Sequence, residues 1–419
     1  MNKRMKFKNI FTEYNESIEK TLNLDPMGLN VIWTHFGQRI FEGKISSATW
    51  DVRSFNINLF NHYVIKSLMD DGNDEIKELF KRDKKVTIEK LIILLENMVI
   101  WSWYKDKNNW DRKNLIGTSK AISKWKDKEI NIDIIDTIQN IELLKGQKSL
   151  GVNGRYKGSF VNIGFFDSNY NNYFDDNEIF EKLKKLMEDN KCLKLLHEKV
   201  MVFFDNGTVE NIPKDEYTNA FSKLKNLAKD IKIKEFWLKN LGLDNNEEEA
   251  IYKSIYEKNS KYIYKEANVI NKSDKFETII ELEPKLSYLD ALFNYLLFFD
   301  GTEVKNIEKK DFFKTLKELD FENEIDIADG EAKYRLTELE KVEDIESLID
   351  YHQKVMTDRG YVSWIKIKDE KLVIDFRSKK NKEELIEKLK VGLNKIPWLH
   401  HYYVSSIRSI REGFENETI

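Results

Sequence analysis

A mainly α protein, α+β in detail, is predicted by three features of the chain. Apolar residues recur at spacings of three and four over long stretches, only 4 prolines interrupt 419 residues, and one late stretch, 361–376, alternates apolar and polar residues. The expected organisation is a helical N-terminal domain over 1–165, a helical middle region over 179–330 and a smaller C-terminal α+β domain over 331–419.

The first elements lie between Leu24 and Leu68. Asp25 can cap a helix and Pro26 suits its first position, where no donor is needed, so a helix is expected to start at Pro26. Leu29, Ile32, Phe36 and Ile40 form its stripe, and Gly43 follows its end near Phe41. Ser46, Ser47 and Thr49 offer the next cap. Val52, Phe55, Leu59 and Tyr63, with Phe60 and Val64, then make the apolar face of a second, antiparallel helix.

The other faces of this hairpin carry Trp33, His35, Gln38, Arg39, Arg53, Asn56, Asn58, Asn61 and His62. Such groups are ordinarily solvated or satisfied by neighbouring backbone. Arg39 and Arg53, flanked by amides, also suit a carboxylate or phosphate, which guanidinium binds in bidentate fashion. Arg39, Arg53, Asn56 and His62 are therefore the first candidate set for binding a partner.

Further along, Val86 to Tyr104 is apolar almost all round and is expected to be a buried helix. Trp110 to Lys145 has helical spacing, clearest in Ile134, Ile135, Ile138, Ile141 and Leu144. Glycine and asparagine crowd the chain from Gly151, and a boundary or long loop is expected near 166–178. Helix resumes from Glu178 through Glu198. Two segments share an FFD-G turn motif, VFFDNGTVENI from Val202 and LFFDGTEVKNI from Leu297, and suggest a recurring local unit. The stretch from Tyr361 predicts a β-hairpin, with Tyr361, Ile365 and Ile367 on one face and Val362 and Trp364 on the other. A helix from Lys382 to Leu393 follows. The aromatic closing helix is expected to dock on the hairpin through Trp398, Tyr402, Ile407 and Ile410.

Composition narrows the classes. The net charge of −4, from 69 basic and 73 acidic residues, supplies no global positive field for nucleic acid, although local patches remain open. A single cysteine, Cys192, excludes an internal disulfide and a thiolate-rich zinc site, in keeping with a reducing compartment. The N-terminal MNKRMKFKNIF lacks an apolar core for a secretory signal, and the apolar runs from Leu91 and Leu289 are too short or interrupted to span a bilayer. A cytoplasmic protein is expected.

Candidate chemistry is sparse. Gly151, Gly154 and Gly158 with Arg155 and Lys157 suggest a phosphate loop, but their spacing matches no dinucleotide or P-loop fingerprint and equally suits close helix packing. His352, His400 and His401 lack metal-ligand spacing, so no metal and no cofactor are expected. Asp369, Lys371, Asp375 and Arg377 offer a nuclease-like acidic and basic set that an ordinary solvated hairpin would also show. Tyr402, Arg408 and Arg411 on the closing helix could stack on bases or contact phosphate, or divide between core and solvent.

The Asp25-Pro26-Met27-Gly28-Leu29 run, the Arg53-centred helix, the GRYKG run at Gly154 and the closing Trp/His/Tyr/Arg helix resemble uncharacterised proteins of bacterial phage-defence and restriction loci over much of the chain. The resemblance implies membership of a multi-protein defence system and brings no catalytic residues with it. An accessory or structural subunit that binds a partner protein, with DNA as a further partner, is the expected function. The alternative is an enzyme, either a metal-dependent nuclease or a nucleotide-binding effector.

Overall fold

The computed structural model describes residues 25–105, 115–125, 143–175, 177–206, 230–244, 274–400, 402 and 404–415. It is mainly helical, with a two-stranded antiparallel sheet late in the chain. Helices α1 Leu29–Ile40, α2 Val52–Asp71, α3 Asp74–Arg82, α4 Lys84–Lys105, α5 Thr118–Trp125, α6 Gln147–Leu150, α7 Val152–Ile163, α8 Asn177–Asp189, α9 Lys191–Asn206 and α10 Ile231–Leu241 come first. Then follow α11 Asp274–Leu296, α12 Val304–Glu308, a 3-10 helix at Asp311–Glu318, α13 Glu322–Ile327, α14 Gly330–Leu339 and α15 Ile345–Asp358. Strands β1 Ile365–Lys368 and β2 Lys371–Ile374 precede α16 Lys382–Lys390 and α17 Val404–Glu415. No helix among the described residues is long and apolar enough to cross a membrane.

The chain forms two compact units, and neither is a continuous stretch. One comprises Met1–Phe36 with Glu277–His400, the other Gly37–Phe276 with His401–Ile419. Three consecutive regions were expected. The division differs because the start of α1 is held by side chains more than 300 residues later in sequence.

In the unit built on Glu277–His400, Asp25 caps α1 by accepting the Leu29 and Asn30 N–H groups at 2.9 and 3.0 Å. The helix therefore starts at Leu29 rather than Pro26. Gly28 adopts φ +65, and the DPM segment forms a turn that leads into the helix. That turn is gripped from α15 and its C-terminal end. Arg359 donates to the Asp25 carbonyl and carboxylate at 2.8 and 3.1 Å, Tyr351 to the Met27 carbonyl at 2.9 Å, and His352 Nδ1 to the Pro26 carbonyl at 2.8 Å. His352 Nε2 in turn accepts the Trp364 N–H. Burial pushes the His352 pKa down to about 4, so the imidazole is neutral and its two nitrogens take opposite roles. Glu283 of α11, fully buried, collects Trp33 Nε1 at 2.7 Å, Ser287 Oγ at 2.9 Å and the Leu399 and His400 N–H groups at 2.8 and 2.9 Å. Trp33 and His400 stack with ring centroids 5.4 Å apart.

The hairpin lies within the expected 361–376 stretch. Asp369 and Glu370, both at positive φ, make a two-residue turn whose twist suits paired strands. The segment before α12 adds to the outer edge of β2 through Gly301 N–H to Leu372 O and Leu372 N–H to Thr302 O. The second FFD-G motif is this turn, with Gly301 at φ +71. The first motif begins within α9, and its remainder from residue 207 lies outside the described residues, as does the Ile134–Ile141 stripe.

In the other unit α2 is central, packed by α4, α7, α9 and α17, and its residues are buried all round rather than along one stripe. Asp51, not Ser46 or Thr49, caps it by accepting the Arg53 N–H. Ser46 and Thr49 instead bond each other in the preceding turn. The closing helix starts at Val404 and packs against α2, so the expected docking of Ile407 and Ile410 on the hairpin is corrected. Gly413 allows this approach, since a Cβ there would lie 2.9 Å from Val52 Cγ2.

Asp25→Ala removes the α1 cap and leaves the buried face of Arg359 with one acceptor fewer. Urea unfolding followed by circular dichroism should show a loss of about 1–2 kcal/mol. A Gly28→Ala variant should also lose stability, because positive φ is strained for alanine and its Cβ would press on Val355 Cγ1 at 3.2 Å.

Candidate functional site

Helix α7 begins behind Gly151, which has no side chain with which to cap it. Glu96, inside the apolar α4, supplies the cap. Its Oε1 accepts the Asn153 N–H at 2.7 Å, the Val152 N–H also bonds the carboxylate, and Oε2 accepts from Gln147 Nε2 at 3.0 Å. Burial raises the Glu96 pKa to about 7, while these donors pull it back. Gln147 also donates to Asn97 Oδ1 and accepts the Leu143 N–H.

Asn153 extends the network. Its Nδ2 donates to the Tyr170 hydroxyl at 3.0 Å, and its Oδ1 lies 2.9 Å from His62 Nε2. An amide oxygen only accepts, so His62 carries its proton on Nε2, and Nδ1 accepts from the Tyr173 hydroxyl at 2.6 Å. Burial pushes the His62 pKa down to about 3, opposed by the Asn153 bond and assisted by the Lys157 charge. The ring is enclosed by Phe160, Phe166, Tyr170 and Tyr173. A narrow recess with room for about one water molecule, lined by Ile57, Val99, Ile100 and Val152, opens beside Glu96 and Gln147.

Seen this way, the glycine run is not a phosphate cradle. Its helix N-terminus is already occupied by the Glu96 carboxyl group, whose Oε1 accepts the Asn153 N–H. A Cβ at Gly151 would lie 2.4 Å from Glu96 Oε2, and one at Gly154 2.4 Å from the Ser149 carbonyl, so both glycines permit close approach. Gly158 faces open space.

The network holds the 164–175 loop from below. Tyr170, Asn172 and Phe174 all sit at positive φ, a strained choice for bulky side chains. Asp167 turns the loop by accepting the Asn169 and Asn171 N–H groups. Lysines cover it from above. Lys157 Nζ donates to the Ser168 carbonyl at 2.7 Å and stands 3.8 Å over the Tyr170 ring. Lys85 donates to Asn169 Oδ1 at 2.8 Å, and Lys84 stands 5.9 Å over the Tyr173 ring. Lys148 pairs with Glu89 at 2.7 Å. The Lys157 pKa is lowered by burial and by the charges of Lys85 and Lys148, against the attraction of Glu89 and Asp167.

The residues singled out from sequence scatter over different tasks. Arg39 is exposed in the last turn of α1. Arg53 is buried 3.8 Å from Asp51, Asn56 accepts from Trp237 Nε1 at 2.7 Å, and His62 belongs to the network. Lys157 joins the lysine surface. Arg155, two residues away and on another face of α7, bonds the Leu150 carbonyl. On α17, Arg408 pairs with Glu412 at 2.8 Å and Arg411 donates to the Leu243 carbonyl, while the Tyr402 ring is buried. Asp375 of the nuclease-like set pairs with Lys366. No group of three His, Cys, Asp or Glu among the described residues is placed to hold a metal. Sequence reasoning missed Glu96, Gln147 and Asn153 as a site. Its available signal was the Glu96–Asn97 break in an otherwise apolar helix.

No family model, curated protein or solved structure matches the chain.

The two buried titratable groups of the network predict opposite pH dependences. Glu96 keeps its proton to about 7 when folded, against 4.5 unfolded, so its contribution to stability falls as pH rises through 4.5–7. His62 takes a proton at 6.5 only when unfolded, so its contribution is lost as pH falls from 6.5 toward 3. Glu96→Gln should therefore gain on the parent protein as pH rises from 4.5 to 7 in urea unfolding. A difference that stays constant with pH would mean that the Glu96 carboxyl does not titrate in that window.

Proposed function

We propose that this protein is an accessory binding subunit of a bacterial multi-protein anti-phage defence system, and that the lysine surface over the 164–175 loop receives an acidic face of a partner protein. The defence assignment rests on the resemblance carried by the DPMGL, GRYKG and closing-helix motifs. A binding role is supported by how the chain uses its polar residues: Glu96, Gln147, Asn153 and His62 satisfy one another and fix a loop.

The observation that carries the reading is the position of Lys84 and Lys85. They open α4, whose first turn holds no acidic residue. The N-terminal end of a helix carries partial positive charge and disfavours cations by a few tenths to about 1 kcal/mol each. Asp83 offsets part of this by capping α4 through the Val86 N–H at 3.0 Å, but Lys84, Lys85, Lys148 and Lys157 still outnumber Asp83, Glu89 and Asp167 there. Such an arrangement is explained by a negatively charged partner, whose arrival relieves the repulsion. Tyr170, Tyr173, Phe165, Phe166 and Phe174 are buried beneath the lysines, so this surface offers charge and steering rather than apolar anchors.

Co-expression with the products of the adjacent genes, followed by affinity purification at low salt, tests the reading. One of those products should co-elute with the parent protein and be lost from the Lys84→Glu, Lys85→Glu variant. That variant places favourable charge at the α4 N-terminus at the cost of the Lys85–Asn169 bond, and circular dichroism should show it folded. Elution of the parent without those products, or full retention by the variant, sinks the proposal.

A further inference from the structure

Lys157 differs from the other lysines of the surface over the 164–175 loop in how its nitrogen is held. The side chain is half-buried, with Nζ donating to the Ser168 carbonyl at 2.7 Å and lying 3.8 Å from the centre of the Tyr170 ring. Lys85 donates to Asn169 Oδ1 at 2.8 Å, so its ammonium is anchored one loop residue along. Lys148, from α6, is bonded to Glu89 at 2.7 Å and repels the same nitrogen.

The groups around Lys157 pull in both directions. Burial and the like charges of Lys85 and Lys148 disfavour its ammonium form, whereas Glu89, Asp167 and the face of the Tyr170 ring favour it. The first set prevails, and the pKa lies below the ordinary lysine value. The other two titratable neighbours carry no charge, since burial keeps His62 neutral and pushes Tyr170 up to about 12. Nor does the Ser168 bond demand an ammonium. A neutral amine also donates an N–H to a carbonyl, and it keeps a lone pair for attack. Lys85 and Lys148 each have further N–H donors beyond the one spent on Asn169 or Glu89, and the excess of lysine over acid here draws small anions in.

We infer that Lys157 is a modification site, acylated on Nζ by small acyl phosphates whose phosphate group is received by Lys85 and Lys148. The Nζ lone pair forms a bond to the acyl carbon, and the bond from that carbon to the phosphate oxygen breaks. Phosphate departs with the electron pair and the proton lost by the nitrogen. The product is an uncharged amide that retains an N–H for Ser168 but no cation for the Tyr170 face. Acylation therefore weakens the hold on an acidic partner, a consequence that rests on the reading of this surface as a partner-binding face.

Incubation of the full chain with acetyl phosphate near neutral pH, with site occupancy followed over time by mass spectrometry, tests this. Lys157 should acylate faster than the exposed Lys120 and Lys333. Lys85→Gln with Lys148→Gln should slow the reaction at Lys157 about fivefold in a protein that circular dichroism shows to be folded. High salt should slow it in the unsubstituted chain, but not when the donor is the uncharged p-nitrophenyl acetate, which the lysines do not steer. Reaction at Lys157 no faster than at Lys120 and Lys333 overturns the inference, as does a rate with acetyl phosphate that the substitutions or salt leave unchanged. No partner enters these measurements, so their outcome is independent of the co-purification result.

Discussion

Glu96 gives up water inside an apolar helix and receives the first N–H groups of another. A buried carboxylate is costly unless hydrogen-bonded, and an uncapped helix leaves donors unsatisfied. Each need answers the other here, which is why Gly151 carries no cap and no Cβ. With the carboxylate fixed at the start of α7, Asn153 is oriented, and it in turn orients His62 and Tyr170. The conformation of the 164–175 loop, with three bulky or amide residues at positive φ, follows from hydroxyls anchored in this network. The lysines above that loop stand where the chemistry beneath them places them.

The same logic appears in the unit built on Glu277–His400, with different partners. Glu283 is satisfied by an indole, a hydroxyl and two backbone donors, and His352 spans the Pro26 carbonyl and the Trp364 N–H. Each buried ionisable group in these two sets has its hydrogen bonds met. Charge that resists local stability lies instead on a surface, at the first turn of α4.

Much of the fold was legible in the sequence because it rests on local patterns. The apolar run of α4, the stripe of α1 and the alternation at 361–376 report period and burial directly. The Asp25 cap was legible too, but not its register, because the shift to Leu29 depends on Gly28 adopting positive φ under the grip of α15. The site was less legible. His62 and Lys157 could be named, but Glu96, Gln147 and Asn153 lie 34 to 91 residues from His62 and meet only through packing; the 91 separates His62 from Asn153. Arg53, Asn56 and His62 looked like a polar face because α2 was expected to have a solvent side. Its central position removes that side and turns them inward.

The grip of Arg359 on Asp25 joins residues 334 positions apart. A chain emerges from the ribosome from its N-terminal end, and domains generally fold as units in that order. The DPM turn is among the first described residues to be made, yet Tyr351, His352 and Arg359 exist only after most of the chain has been synthesised. The Gly37–Phe276 stretch can begin to form its own core in the interval, while the start of α1 waits. Completion of the unit that holds Asp25 is thus a late event in the life of each molecule, set by the order of synthesis and by the closure of a loop more than 300 residues long.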